Sequence, residues 1–284
     1  MKPANFAYHF PSSIDEAVAL LGQLAADNGR ILAGGQTLVP MMAFRMALPA
    51  HLIDINGIAE LAEIAVAGGK IRIGACVRHA ALETAGAVPG PTGALLQQIV
   101  HHIAHYPIRT RGTFCGSLVN ADPASEWCCA VAALDGVVIA QSRTGMRRIA
   151  AADYFAGVMQ TDLHDDELVI AVELPLLSAD ARFGFAEYSR RPGDFALAMV
   201  LGTYSVDTMG IMVNAHLAVG GVEPFPRRIT ASEDALNGVV PSAAVFAAAA
   251  DIAAEAVEPM DEGTAIYRRM LVRTLTRRVL EGTA

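Results

Sequence analysis

The feature that most constrains the fold is a short apolar strand running without a break into two glycines and then into a helix. Arg30-Ile31-Leu32-Ala33 is followed by Gly34-Gly35, by the polar pair Gln36-Thr37 and by the apolar start Leu38-Val39-Pro40. A strand that feeds a helix through a tight turn is a unit of α/β layering. Glycine lets backbone N–H groups approach a phosphate closely, and the helix start that follows adds a positive dipole end. Gln36 and Thr37 add side-chain donors. An ordinary strand-to-helix turn would use the same residues, so this segment alone does not decide between geometry and binding.

The flanking residues extend the pattern. Ser13 precedes Ile14-Asp15-Glu16, which predicts a capped helix with Glu16 returning to the cap and Ile14, Val18 and Leu21 buried. His51 to Ile55 reads as a second strand closed by Asn56-Gly57. Ile64 to Val66 and Lys70 to Ala75, joined at Gly68-Gly69, read as a hairpin. Helical stretches follow near Ala80–Glu83 and Gly93–Ala104, then a loop from Tyr106 to Ser117. Val137–Ala140 and Leu168–Val172 are strands, the latter stopped by Pro175, and alternating segments follow at Ala196–Tyr204 and Ile211–Val219. The tail predicts an amphipathic helix with Ile266, Met270, Leu271, Leu275 and Val279 inward and its arginines outward. Turn residues place boundaries near Asn56 and Pro175, dividing the chain into 1–56, 57–176 and 177–284.

Composition narrows the function classes. A net charge of -8 without any long basic run argues against a nucleic-acid partner. No stretch reaches the roughly 18 apolar residues of a membrane span, and the N-terminus lacks a signal-peptide pattern, so a cytoplasmic location is expected. The four cysteines, Cys76, Cys115, Cys128 and Cys129, fit neither a disulfide framework nor an iron–sulfur ligand set. His101, His102 and His105 have helical spacing, but no further ligands stand near them in sequence, so no metal site is expected. Cys128-Cys129 beside Trp127 reads as core packing, and Asp165-Asp166-Glu167 as a solvated turn.

A second polar segment begins about eighty residues after the first. Ile108 to Glu126 reads IRTRGTFCGSLVNADPASE, with Arg109, Arg111, two glycines, several hydroxyls and the acids Asp122 and Glu126. Arginines and N–H groups suit a diphosphate, while carboxylates accept hydrogen bonds from ribose or ribityl hydroxyls. A long polar surface loop is the alternative.

AGGQTLVP and IRTRGTFCGSLVNADPASE together resemble the flavin-binding medium subunit of the molybdenum hydroxylases, the family of xanthine, carbon monoxide, nicotine and caffeine dehydrogenases. The resemblance continues through Asp166–Pro175, Ser189–Ala196 and Gly220–Pro224, in order along nearly the whole chain. It implies an α+β chain: a PCMH-type (vanillyl-alcohol-oxidase-like) FAD-binding fold of two α/β subdomains, with a C-terminal α/β domain of the CO dehydrogenase flavoprotein type. It implies FAD held non-covalently, with Leu32, Ala33, Gly34, Gly35, Gln36, Thr37 and Leu38 around the pyrophosphate. Thr113, Cys115, Gly116 and Ser117 would line the second loop, Glu126 would hold the ribityl chain, with Asp122 the second acid that the residues themselves offer to sugar hydroxyls, and Leu168 and Val169 would make apolar contacts. No side chain is implied as acid, base or nucleophile.

The resemblance further implies a large molybdopterin-binding partner and a small partner with 2Fe-2S clusters, assembled as a dimer of heterotrimers. Electrons would reach this chain from those clusters and leave to an external acceptor. Cys115 stands where the family has glycine, so a side chain is expected beside the ligand there. Phe114 and Pro107 also depart from the pattern, and Ser189 replaces a lysine common in carbon monoxide dehydrogenase-like subunits. A free-standing FAD-dependent oxidoreductase and a subunit that has lost its flavin remain open from sequence, as do the substrate and the acceptor.

Overall fold

The computed structural model describes residues 2–283. Its first unit is built from β1 (Ala7–His9), α1 (Ile14–Leu24), β2 (Gly29–Leu32), α2 (Leu38–Ala43) and β3 (His51–Asp54). The three strands pair in parallel in the order β1-β3-β2. Ser13 caps α1 by accepting from the Glu16 N–H. The Glu16 carboxylate returns one residue further back than expected, to the N–H and hydroxyl of Ser12 at 2.7 and 2.9 Å. Ala17, Val18 and Leu21 form the buried stripe, and Ile14 is only half-buried.

The second unit opens with β4 (Ile64–Ala67) and β5 (Lys70–Gly74). Gly68 and Gly69 between them have φ of +57° and +74°, the backbone that a two-residue hairpin turn demands. Then come α3 (Gly90–Val100), α4 (Tyr106–Arg109), α5 (Phe114–Asn120), α6 (Glu126–Ala133), β6 (Val137–Ser142) and β7 (Gly145–Ala150). A short turn α7 (Ala151–Tyr154) and the ribbon β8 (Phe155–Gly157) with β9 (Gln160–Thr161) lead into β10 (Leu168–Pro175). The antiparallel sheet runs β4-β5-β10-β6-β7. β10 lies at its centre, buried from Leu168 to Val172, because α1 covers the strand from the first unit and α5 packs on it too. One apolar core therefore runs through both units.

The expected loop at Tyr106–Ser117 is instead two helical segments around a bend. The sequence carries the reason: Thr113 is an N-cap whose Oγ1 accepts from the Gly116 N–H at 3.0 Å, and Phe114, Cys115 and Leu118 make a buried stripe. Phe114 stacks on Trp127 with ring centroids 4.6 Å apart. The Asp165–Glu167 turn is also less solvated than expected, since Glu167 pairs with Arg147 at 2.6 Å.

The third unit is the sheet β11 (Arg182–Tyr188), β12 (Ala198–Val206), β13 (Met212–Gly220) and β14 (Arg227–Arg228), covered by α8 (Thr230–Leu236), α9 (Ala243–Ala256) and α10 (Ala265–Glu281). α9 and α10 pack together, and α10 lies on β11 and β12. The tail helix buries Leu275 and Val279 and packs Leu271 as expected, but its start differs. Ile266 and Met270 are exposed, and Val272, Leu275, Thr276, Val279 and Leu280 face inward. Its first turn is held by polar bonds, with Arg268 donating to the carbonyls of Leu197 and Gly221 at 2.7 and 2.6 Å. α6 packs against β12 and β13 and is buried from Trp127 to Ala133, which explains its small side chains and the free Cys128-Cys129 pair.

Candidate functional site

The two motif segments meet. A Cβ placed on Gly34 would lie 2.6 Å from the Arg111 carbonyl oxygen and 2.7 Å from the Gly112 Cα, so the glycine turn is closed directly onto the second segment. Gly35, at φ +70°, takes the left-handed backbone that ends β2. Above this junction lies a cavity of about 310 Å³ lined by Leu32–Gln36, Val39, Pro40, Asp54, Asn56 and Arg111.

The turn is organised to present donors. The Asn56 side-chain amide donates to the Ala33 carbonyl at 2.9 Å, and the Gln36 amide donates to the Gly34 carbonyl at 3.0 Å. Because the peptide unit is planar and trans, holding those two carbonyls turns the N–H groups of Gly34 and Gly35 to the opposite side. Among the described residues, none accepts a hydrogen bond from the backbone N–H of Gly34, Gly35, Gln36 or Thr37. Four successive unclaimed donors beside an arginine suit the diphosphate of FAD. The dipole contributes less than the sequence suggested, since α2 spans only six residues. Gln36 acts on its own turn, and Thr37 is exposed with a side chain that caps nothing. Leu38 begins α2 and is half-buried.

In the second segment the arginines divide. Arg109 is withdrawn into a pair with Glu83 and donates to the carbonyls of Ile103 and Ala104, so it anchors the bend. Arg111 lines the cavity. Thr113 spends its hydroxyl on the α5 cap. Cys115 is buried, with Sγ 3.7 Å from the Ile73 carbonyl, and burial pushes its thiol well above the usual range. The Cys115 sulfur thus points into the core and not into the cavity. Gly116 and Ser117 are half-buried on α5. Leu168 and Val169 are buried on β10 and do not line the cavity.

Asp122 and Glu126 sit beyond the C-terminal end of α5, where the second unit meets the third. Asp122 accepts from the Ala124 N–H at 2.9 Å, and the Pro123 carbonyl accepts from Gly221 at 2.7 Å. Burial, with the nearby Glu187 carboxylate, pushes the Glu126 carboxyl up to about 8. Glu187 itself lies against His102 at 3.4 Å and has one buried oxygen without a partner. His102 thus has the carboxylate neighbour that sequence spacing did not show. Among the described residues no group of His, Cys, Asp and Glu is arranged to hold a metal.

Sequence reasoning missed three residues at the junction: Arg78, Asn56 and His79. The His79 N–H donates to the Gly112 carbonyl at 3.0 Å, and its Nδ1 accepts from the Trp127 indole at 2.9 Å. Burial and the charges of Arg109 and Arg78 hold its pKa down to about 4, so the ring is neutral. A Cβ on Gly112 would meet His79 Nε2 at 2.6 Å, which explains that glycine. No local pattern in the sequence signals them, since their partners are distant along the chain.

Residues 4–177 match the FAD binding domain in molybdopterin dehydrogenase, and residues 183–283 match the CO dehydrogenase flavoprotein C-terminal domain. The chain belongs to the flavin-binding medium subunits of the molybdenum hydroxylases. Two similar members of this family come from Paenarthrobacter nicotinovorans. The 6-hydroxypseudooxynicotine dehydrogenase complex subunit alpha is 36% identical over 99% of this chain and 95% of its own length. The nicotine 6-hydroxylase medium subunit is 36% identical over 99% of this chain and 98% of its own. Among solved structures, carbon monoxide dehydrogenase from Hydrogenophaga pseudoflava superposes with a TM-score of 0.93 at 31% identity, covering 100% of this chain and 98% of that one. Medium subunits of this family are parts of oxidoreductases, and the flavin site belongs to this chain.

Proposed function

We propose that this chain holds FAD between its first two units and serves as the electron-transfer subunit of a heterotrimeric molybdenum hydroxylase. The observation that carries the reading is the closure of Gly34 on Arg111-Gly112, with unclaimed N–H donors from Gly34 to Thr37 beside it. Bound there, FAD would supply the redox chemistry linking one-electron donors on a small 2Fe-2S partner to an external acceptor. The hydroxylation itself would belong to a large molybdopterin-binding partner, in a dimer of heterotrimers in the cytoplasm. Relatives whose names specify nicotine and 6-hydroxypseudooxynicotine chemistry, at 36% identity, support an N-heterocycle or a related compound as the substrate of the complex.

The chain's own residues would bind and orient. Residues 1–56 would supply the pyrophosphate turn, 57–176 the second turn, and 177–284 a cover over the far end. Arg111 would neutralise diphosphate charge, while Asp122 and Glu126 would meet the sugar chain. Protonated, Glu126 would donate one hydrogen bond as well as accept. The cysteines would stay out of the chemistry, because burial raises all four thiols.

The test is reconstitution of the purified chain with FAD, followed by its visible spectrum and by quenching of flavin fluorescence. One FAD per chain, with no substrate turnover until the two partners are added, is the expected result. A colourless chain that takes up no FAD overturns the cofactor assignment. Turnover by the isolated yellow chain overturns the subunit assignment.

A further inference from the structure

Arg78 lies outside both motifs, yet its guanidinium joins them. It follows β5, in the extended residue before a helical turn at His79–Glu83, and its backbone bridges antiparallel to Thr113. Nη2 donates to Asn56 Oδ1 at 2.6 Å, and Nη1 donates to the Arg111 carbonyl. Asn56 has no freedom left once that bond is made. Its oxygen faces Arg78, so its amide nitrogen must face the Ala33 carbonyl at 2.9 Å and Asp54 Oδ1 at 2.5 Å. Asp54 is in turn fixed by the Tyr8 hydroxyl at 2.7 Å and by the Asn56 N–H at 2.9 Å.

We infer that Arg78 is a positioning residue for the cofactor: acting through Asn56, it orients the Ala33–Gly34 peptide and fixes the spacing of the two turns. The inference rests on the FAD reading. A diphosphate site must show N–H groups and hide carbonyls, and here one side chain controls both sides of the junction. Through Asn56 it holds the carbonyl whose partner N–H, that of Gly34, is unclaimed. Directly it holds the carbonyl of Arg111, the residue that brings a positive charge to the cavity. Released, Asn56 can rotate and present Oδ1 toward the Ala33 carbonyl, and the peptide loses its reason to face one way. Lysine would keep the charge but not the fork that reaches two acceptors in different directions.

The test compares FAD dissociation constants of the full chain for wild type, Arg78→Met, Arg78→Lys, Arg78→Ala and Asn56→Leu. All four variants should bind FAD at least tenfold more weakly, with lysine as poor as methionine. The paired variant Arg78→Met/Asn56→Leu should be little worse than either single change, as expected of one relay. Millimolar methylguanidinium should restore part of the affinity lost by Arg78→Ala and nothing in Asn56→Leu. Where Arg78→Met fails to fold, Arg78→Lys and Asn56→Leu decide. Affinity within twofold of wild type in Arg78→Lys, or additive losses in the paired variant, overturns the inference. Absence of FAD binding in wild type would instead overturn the cofactor assignment.

Discussion

Replacing Gly34 by alanine tests the closure of the two turns with the smallest possible change. The added methyl would sit 2.6 Å from the Arg111 oxygen, 2.7 Å from the Gly112 Cα and 3.1 Å from the Thr113 nitrogen. Carbon–carbon contacts are comfortable at about 3.5–4.0 Å, so the turns must separate by roughly 1 Å. The neighbours are backbone atoms, held by the bond from Arg78 and by the α5 cap, and cannot rotate aside. Overpacking of this kind costs roughly 1–3 kcal/mol. If that strain falls on the bound geometry, FAD affinity drops about 5- to 150-fold, since about 1.4 kcal/mol is a factor of ten. Fluorescence titration of the apo chain, with melting curves with and without FAD, measures both. Gly68→Ala is the control: it meets nothing within 4 Å, though its φ of +57° disfavours a side chain. It should lower the melting temperature and leave FAD affinity alone. Tight FAD binding by Gly34→Ala, with an unchanged melting curve, would refute the closed junction.

Two further outcomes concern groups beneath the site. Glu126 is raised to about 8 and His79 lowered to about 4, so their effects on stability against pH have opposite signs. The folded chain holds a Glu126 proton that the unfolded chain loses above about 4.5, so this contribution to stability falls as pH rises toward 8. The His79 contribution is lost as pH falls from about 6.5 to 4, and between about 4.5 and 6.5 the two slopes oppose. Denaturant midpoints of the apo chain from pH 5 to 8.5 should decline above pH 6.5, and Glu126→Gln should flatten that decline; an equal decline in the variant rejects Glu126 as its source. His79→Leu leaves the buried Trp127 indole N–H without its acceptor and should destabilise by about 1–3 kcal/mol in urea. A midpoint unchanged in His79→Leu would show that the bond contributes nothing.

The strand–glycine turn, the hairpin at Gly68-Gly69 and the central strand at Leu168 were legible because each rests on local pattern. What sequence could not show was which side of a segment faces the ligand. Arg109 and Arg111 look equivalent in IRTRG, yet a pair with Glu83, twenty-six residues earlier, takes the first away. Cys115 reads as a side chain in a loop until the Thr113 cap makes the segment a helix and turns it to the core. The inward face of the tail helix was legible from Leu271 onward but not in its first turns, where an arginine that binds carbonyls takes the place of the apolar contacts expected of Ile266 and Met270. Arg78 and Asn56 carry no motif at all. Their importance comes from bonds spanning 22 and 33 residues, and such partners have no signature in composition or period.

Helix α6 belongs to two interiors at once. One side faces Phe114 and the second unit, and the other faces β12 and β13, with Cys129 Cβ 3.4 Å from where a Gly220 side chain would begin. A residue there can be resized for one neighbour only if the other consents. The third unit is for this reason packed as a wall against the second. Lineages that change the sheet of the third unit must carry the matching change in α6, within sight of Glu126. Drift in a remote-looking domain would thereby reach Glu126 through the helix that this residue begins.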